Sequence, residues 1–592
     1  GPEFSYKEKV QKMNIKRIAL LFAALLIALM VFSACQPAEA PEPEIVEVEK
    51  EVEVEVTRIV EGEVVTEMIV VTATPDPEAA AAEEVDEKEI IRIAYDRELD
   101  VLNPFTSQML CDVMFAMNEG LIQADDSNQF VPILAKEIPT FDNGGIVDNG
   151  DGTYDMTWNL HNPVYWHDGE EFTSEDVCFT WEIIVGEGSE VYNSSDYQGI
   201  TDCQMPDEHT VVMTWDGLYG FYSGLFEAML PEHILGGMTS AEIVSYEPYN
   251  RGTETIGTGP YVFAEWKTGE YIRLVRNDNY WRGGDYPLAD ELIFMFIPDS
   301  NARYNAMLAS EYDYGQISST QVKDFDAEGM RVSMVPSLVM YHFEGNVNTP
   351  EMEFLFGDKM VRQALIHAVD REAIANDLME GTVTVANSPV NKISPFYNDD
   401  VPKFEYDPEL ALSMLAEAGW TDTDGDGILD KDGVPFSFTM MNRAGYADRI
   451  AVAEVIQFYL GEIGIEVDFE TLEPAAWTGR WRNREWQALV SGWFFSADTS
   501  LTNTYACDGS NNFTSFCDPE LDELMHKSDG YVTVADRKPY MDQVQVLLAE
   551  DAFNMFLYHR PHIVAVNENL KNFRSSGTNL GDFWNVYEWS LD

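Results

Sequence analysis

A tight Gly/Pro turn that feeds two alternating segments constrains this chain more than any other feature. It runs from Gly257-Thr-Gly-Pro-Tyr261 to Trp281 without a break, as GTGPYVFAEWKTGEYIRLVRNDNYW. Glycine and proline set the turn. The alternation that follows predicts two strands, and Arg276-Asn-Asp-Asn-Tyr-Trp281 is a polar exit. This unit is a small part of 592 residues. A chain of that length exceeds one hydrophobic core and implies two to four structural units.

Other segments are as legible. Asn103-Pro-Phe-Thr106 and Asn118-Glu-Gly-Leu-Ile122 bracket a helical pattern, and Pro132-Ile-Leu-Ala135 follows. Trp166-His-Asp-Gly-Glu-Glu-Phe-Thr-Ser-Glu-Asp-Val177 combines a turn at Asp168-Gly169 with a capping box, Thr173 to Asp176. Met360, Val361, Ala364, Leu365, Ala368 and Val369 share one helical face, and Asp370 caps the next helix. Asp407 caps a helix with proline in its first turn, which Gly419 stops. In this order, over roughly residues 90–592, these segments resemble the family 5 extracellular solute-binding proteins, the peptide and oligosaccharide receptors of ABC importers.

The N-terminus reads as a targeting segment. Lys7, Lys9, Lys12, Lys16 and Arg17 precede an apolar run of 15 residues, Ile18 to Phe32, and then Ser33, Ala34 and Cys35. The run is short for a membrane-spanning helix, which needs about 20 residues. Phe-Ser-Ala-Cys resembles a bacterial lipobox, with Phe32 where leucine is usual; it implies a lipid on Cys35 and a body outside the cytoplasmic membrane. Residues 36–90 hold prolines 37, 41 and 43, a Val/Glu alternation from Val46 to Val56, and an alanine run. One strand of dense like charge cannot fold alone, so a stiff acidic tether is expected, with a small self-associating β or coiled element as the other reading.

Charge excludes whole classes of partner. Lys plus Arg number 36 and Asp plus Glu 104, so the formal charge is 36 − 104 = −68. Such a field repels nucleic acid and anionic lipid. Six cysteines include no Cys-x-x-Cys pair. With Cys35 lipidated, Cys178–Cys203 ties a helix to the next strand and Cys507–Cys517 closes a short loop, leaving Cys111 as a buried small hydrophobe. Asp422, Asp424 and Asp426 with Gly427 match the front of a calcium loop, and Asp430 completes the acidic set; Gly433 stands where the twelfth-position glutamate belongs. The expectation is a partial structural calcium site or a solvated acidic turn, with no cofactor required. His161 and His167 lack a third metal ligand. No nucleophile elbow, metalloprotease helix or phosphate loop appears, and nothing selects a carboxylate pair, so no enzyme is expected.

The resemblance implies an α/β, two-lobed periplasmic-binding-protein-like fold (type II, cluster C-like). Lobe I spans 91–337, with an inserted subdomain near 125–235; lobe II spans 338–555; 556–592 return to lobe I. The crossings fall near Leu338–Asn346 and Phe553–Arg560. The implied function is capture of oligopeptides or dipeptides in a hinged cleft by a monomer and delivery to an ABC permease. An oligosaccharide receptor, with Trp477, Trp481, Trp486 and Trp493 as platforms, is the alternative; a surface sensor without transport is the reading of another class. The resemblance places Phe105, Tyr341, Phe343, Trp493 and Asp498 in the cleft, with Asp498 as anchor for a peptide ammonium after Gly492-Trp493.

Overall fold

The computed structural model describes residues 51–60, 63–72, 88–107, 112–189, 191, 194–323, 325–495, 500–578 and 581–591. It divides the chain into two units, 1–87 and 88–592. In the first, Glu51–Val60 and Glu63–Thr72 pair antiparallel, from Glu51 opposite Thr72 to Val60 opposite Glu63. The pairing is that of a small β element, the other reading of this stretch, rather than of an unpaired tether. The loose echo of the Val/Glu stretch supplies a second strand, so the backbone groups of each find partners in the other. The apolar N-terminal run, Cys35 and Cys111 lie outside the described residues.

The second unit is organised by a sheet of 11 strands. Ten of them are, in chain order, β1 (Ile90–Tyr95), β2 (Tyr261–Lys267), β3 (Tyr271–Arg276), β4 (Glu291–Phe296), β5 (Tyr314–Gln316), β6 (Met330–Gly345), β7 (Ser437–Arg443), β8 (Glu466–Leu472), β9 (Ala488–Phe494) and β10 (Asn554–Asn567). They lie side by side as β2-β3-β4-β1-β5-β10-β6-β9-β7-β8, and Thr384–Val385 adds to β10. The turn-and-strand segment of the sequence is therefore the β2–β3 hairpin at one edge, paired from Tyr261 opposite Arg276 to Lys267 opposite Tyr271.

Among the described residues, only β6 and β10, 16 and 14 residues long, run through both lobes. Met330–Pro336 pair with Asn567–Pro561 on the lobe I side, and Val339–Glu344 with Arg560–Asn554 on the lobe II side. Between them the register shifts, and Pro336 faces Pro561. Neither proline has an N–H to give, so the ladder is broken on both strands at one level. Ser337 bridges the gap: its hydroxyl donates to the Arg560 carbonyl at 2.5 Å and accepts from the Val339 N–H at 3.2 Å. A local break in two otherwise continuous strands is where a hinge can flex at least cost. The first crossing thus begins at Met330, earlier than the sequence placed it, and the return continues past Arg560, so lobe II extends to 560 rather than 555.

Each lobe has its own core. In lobe I, Ile91, Ile93, Tyr261, Leu274, Leu292, Phe294 and Tyr314 pack on Phe583, Val586 and Trp589 of the returning chain. In lobe II, Tyr341 and Phe343 join Leu365, Trp420, Phe436, Phe438 and Ile456. The inserted subdomain holds a four-stranded sheet, Ile146–Asp148, Thr153–Asn159, Thr210–Asp216 and Ile200–Asp207 in that spatial order. Its core draws on residues from Leu121 to Ile256, wider than the expected 125–235. Cys178 of the Ser174–Val185 helix is bonded to Cys203 of its edge strand, and Cys507 to Cys517 in lobe II. Replacing Cys178 and Cys203 together by alanine should lower unfolding free energy by about 3 kcal/mol, the chain-entropy value for a loop of this length. Urea titration of variant against parent checks it.

Candidate functional site

A cavity of about 840 Å³ opens between the lobes. Lobe I contributes Arg97, Phe105, Phe115, Tyr197 and Leu225 to its wall; lobe II contributes Arg443, Tyr446, Trp477, Trp481, Arg482 and Phe494. Aromatic and aliphatic walls with a few placed charges are the ordinary make-up of a small-molecule site, and the volume lies in the usual range. The lobe II wall follows from strand parity. Along β9, Gly492 and Phe494 face the cavity, while Trp493 turns to the other side and packs on Trp481 at 5.6 Å and Phe513 at 6.4 Å.

The charges of the wall continue inward. The Tyr446 ring lies between two guanidiniums, Arg443 at 4.9 Å and Arg449 at 4.4 Å from its centroid. Arg449 also lies 4.9 Å from the Tyr341 ring, and Tyr341 stacks on Tyr558 at 5.2 Å. The Tyr341 hydroxyl accepts from Arg449 Nε and Arg560 Nη1, each at 3.3 Å. Burial alone would raise the Tyr341 phenol; the two arginines outweigh it and bring it down to about 8. Across the cleft Arg97 is paired with Asp96 at 2.6 Å.

A second set of contacts joins the lobes at the side of the cavity. Asn503 of lobe II donates from Nδ2 to both oxygens of Asp196 in the inserted subdomain, at 2.8 Å each. The Gly220 N–H donates to the Asp529 carbonyl at 2.6 Å, and Arg537 donates to the Gly220 carbonyl at 3.2 Å. Burial pushes the Asp196 carboxyl up to about 6, against its bonds to Asn503 and Tyr219, and the Asp529 carboxyl adds to the rise. These bonds exist only while the lobes are together, so they favour the closed form. Asn503→Ala should shift the protein toward open and raise the apparent Kd of any enclosed ligand about tenfold, as the loss of a charge-assisted bond of about 1.5–3 kcal/mol requires. Calorimetry with small-angle scattering of the unliganded protein checks both halves.

Of the residues the sequence placed in the cleft, Phe105 lines the cavity. Tyr341 lies behind the wall, holding Arg449 and Arg560. Phe343 does not belong to the site: two residues further along the same face of β6, it is 3% exposed and packs on Phe438. Trp493 is corrected by one position, since its neighbours Gly492 and Phe494 take the cavity face. Asp498 lies outside the described residues. Of the four tryptophans, Trp477 and Trp481 reach the cavity, but they stack on each other at 5.4 Å, and Trp486 is buried behind them. Asp422, Asp424 and Asp426 gather carboxylate oxygens within 4.8 Å of one another on an exposed loop. Asp430 is separate from them; it accepts from the Thr423 amide and hydroxyl at 2.8 Å and opens a two-residue strand.

Arg443, Tyr446, Arg449 and Arg560 went unread in the sequence. The usable signal was scarcity: arginine recurs at 443 and 449 around a tyrosine in a chain with only 36 basic residues against 104 acids.

The sequence model for "Bacterial extracellular solute-binding proteins, family 5 Middle" matches residues 129–515. The oligopeptide-binding protein AppA of Bacillus subtilis is 32% identical over 499 residues, covering 82% of this chain and 88% of its own. The structure of that protein with a nonapeptide superposes with a TM-score of 0.76 at 30% identity, over 85% of this chain and 99% of the other. NikZ of Campylobacter jejuni, at 24% identity over 85% of this chain and 99% of its own, superposes with a TM-score of 0.75 and shares the fold.

Proposed function

This chain belongs to family 5 of the bacterial extracellular solute-binding proteins, and from that premise we propose that it captures oligopeptides between its lobes and delivers them to an ABC permease. The observation that carries the reading is the cavity between two lobes that β6 and β10 cross as continuous strands. Binding in such a place is coupled to closure, because a ligand that touches both walls favours the closed form by its differential affinity. The Pro336/Pro561 break supplies the hinge, and the Asp196–Asn503 contact marks the closed end of the movement.

Peptide is favoured over oligosaccharide by the state of the tryptophans. A sugar platform needs a free ring face. Trp477 has Trp481 stacked on it at 5.4 Å and Arg443 over the ring at 5.8 Å; Trp481 has Phe513 at 4.2 Å. Extended peptide backbone needs donors and acceptors instead, and Arg97, Tyr446, Thr478 and Arg482 offer them. Capture is proposed as the whole activity, without chemistry on the ligand.

The rest of the proposal concerns placement. Cys35 carries the lipid anchor, residues 36–90 space the body from the membrane, and the monomer works outside the cytoplasm. Calcium on Asp422, Asp424 and Asp426 would offset three exposed like charges and stiffen the loop. Millimolar calcium should then raise Tm, and Asp424→Asn should abolish the rise.

The decisive experiment is a thermal-shift and calorimetric screen of the full chain against short peptides and against cello- and xylo-oligosaccharides. A ligand at about 100 times its Kd adds about 2.7 kcal/mol. Shifts with peptides alone are expected; shifts with sugars alone would replace the reading.

A further inference from the structure

The protein carries a formal charge of −68, yet its cleft collects cations. Arg443 and Arg449 flank Tyr446, Arg560 shares the Tyr341 hydroxyl with Arg449, and Arg97 faces them from lobe I with Arg303 beside it. The carboxylates whose fields reach this group are Asp96, Asp448 and, at Arg303, Asp299. With Arg482, Asp100 and Glu227 of the cavity lining included, six guanidiniums stand against five carboxylates, 6 − 5 = +1 on a polyanion. Asp96 is spent on Arg97. Arg443, Arg449 and Arg560 have aromatic rings and a phenol for company, which attract a cation without neutralising it.

Arg443 Nε, Trp477 Nε1 and Trp481 Nε1 are buried away from the cavity's open space, with no hydrogen-bond partner among the described residues, so they stand within the wall. What faces a ligand is the charge of the Arg443 guanidinium, with Arg97 on the other lobe. A surplus of guanidinium on the walls of one cavity is the complement of a carboxylate. Asp100 and Glu227 line the same cavity, and a ligand carboxylate is unwelcome beside them.

We propose that the cleft selects acidic peptides, with a ligand carboxylate seated against Arg443 and Arg97 and the Tyr446 ring beneath it. This rests on the peptide reading above. The carboxylate has two sources, an Asp or Glu side chain or the peptide C-terminus, and both meet the same donors. The protein's overall field opposes the approach of an anion, so selectivity lies in the bound state and shows in the off-rate rather than the on-rate.

The test is calorimetry of the full chain with two pentapeptides, Ala-Ala-Glu-Ala-Ala and Ala-Ala-Gln-Ala-Ala, each as free acid and as C-terminal amide. The expected result is binding tighter by about tenfold for the glutamate peptide than for its glutamine isostere, as a charge-assisted contact gives. Persistence of the preference in the amides assigns it to the side chain and supports the proposal; a preference for free acids alone assigns the carboxylate to the peptide terminus and overturns selection of acidic peptides. Arg443→Gln should bring the glutamate-to-glutamine ratio toward one. Arg97→Gln does the same from the other lobe and serves where the first variant does not fold. Four peptides bound within twofold of one another, or an unchanged ratio in both variants, overturns the proposal. If no peptide binds, tricarballylate separates the two failures: binding of this tricarboxylate keeps the anion site and removes the peptide reading, and no binding removes both.

Discussion

Gly257→Val should destabilise the protein by about 3–5 kcal/mol, the upper end of what one substitution does. A Cβ at Gly257 would meet the Met117 carbonyl oxygen at 2.0 Å, and that oxygen cannot move aside because it accepts from the Gly259 N–H at 2.8 Å. The same turn is held from the other side. The Gly257 N–H donates to His167 Nδ1 at 3.1 Å, and His167 Nε2 bonds the Gly259 carbonyl at 3.0 Å. Two residues beyond Met117, the buried Glu119 accepts from Tyr280 Oη and Trp281 Nε1, both at 2.6 Å. A side chain at 257 therefore forces apart the seam between lobe I and the inserted subdomain. Gly461→Ala is the control. It lies in the Ala447–Glu462 helix with nothing near its Cβ position, and should be neutral or stabilising by up to about 1 kcal/mol. Urea unfolding of both variants against the parent gives the comparison; equal stability at Gly257→Val would mean that the seam yields.

That seam explains which parts of the protein were legible. The segments that identified the family, Asn118-Glu-Gly, Trp166-His-Asp-Gly and Gly257 to Trp281, meet one another through His167, Glu119 and the Met117 carbonyl. Their residue types are dictated by close backbone approach and buried hydrogen bonds, which tolerate few alternatives. So the sequence displays the scaffold. The cavity obeys looser rules: its wall takes Arg97 from one lobe and Arg443 from the other, with no short spacing to link them.

Where spacing did bear on the site, one residue decided it. Trp493 and Phe494 are neighbours on β9, and only the pairing with β6, Met340 opposite Trp493, fixes which of them faces the cleft. Phe343 failed for a related reason. Alternation shows which residues of β6 share a face, but not that this face is lobe II's core. Of the crossings the sequence displayed only the lobe II halves, 338–346 and 553–560, which are rich in Met, Tyr and Phe; the lobe I half of β6, back to Met330, is interrupted by Arg331 and Ser333, and that of β10, on to Asn567, holds no Met, Tyr or Phe, so neither carries such a signal.

Acid should weaken the protein through His167 and strengthen it through Asp196, and the two can be separated. Burial lowers His167 from 6.5 to about 4, its bond to the Gly259 carbonyl opposing this only in part. The folded state therefore refuses a proton that the unfolded chain accepts below pH 6.5, and stability is lost as pH falls from 6.5 to about 4, then levels off. At 1.36 kcal/mol per unit the whole window is worth roughly 3 kcal/mol. The chemistry agrees with the sign: Nδ1 must stay unprotonated to accept the Gly257 N–H. Asp196 runs the other way. Burial raises its carboxyl from 3.8 to about 6, so the folded state takes up a proton first, and stability is gained as pH falls from 6 to 3.8, again by roughly 3 kcal/mol. Other buried groups titrate in the same range, His559 lowered to about 4 by burial and Glu119, Asp176 and Asp529 raised by it, so the parent's own profile mixes them all. Difference profiles isolate the two slopes. The stability of parent minus His167→Gln should fall between pH 6.5 and 4, and that of parent minus Asp196→Asn should rise between pH 6 and 3.8. A flat first difference would mean that His167 titrates normally and that the seam is open to water; a flat second would mean that the Asp196–Asn503 contact is solvated, and with it the closed end of the hinge.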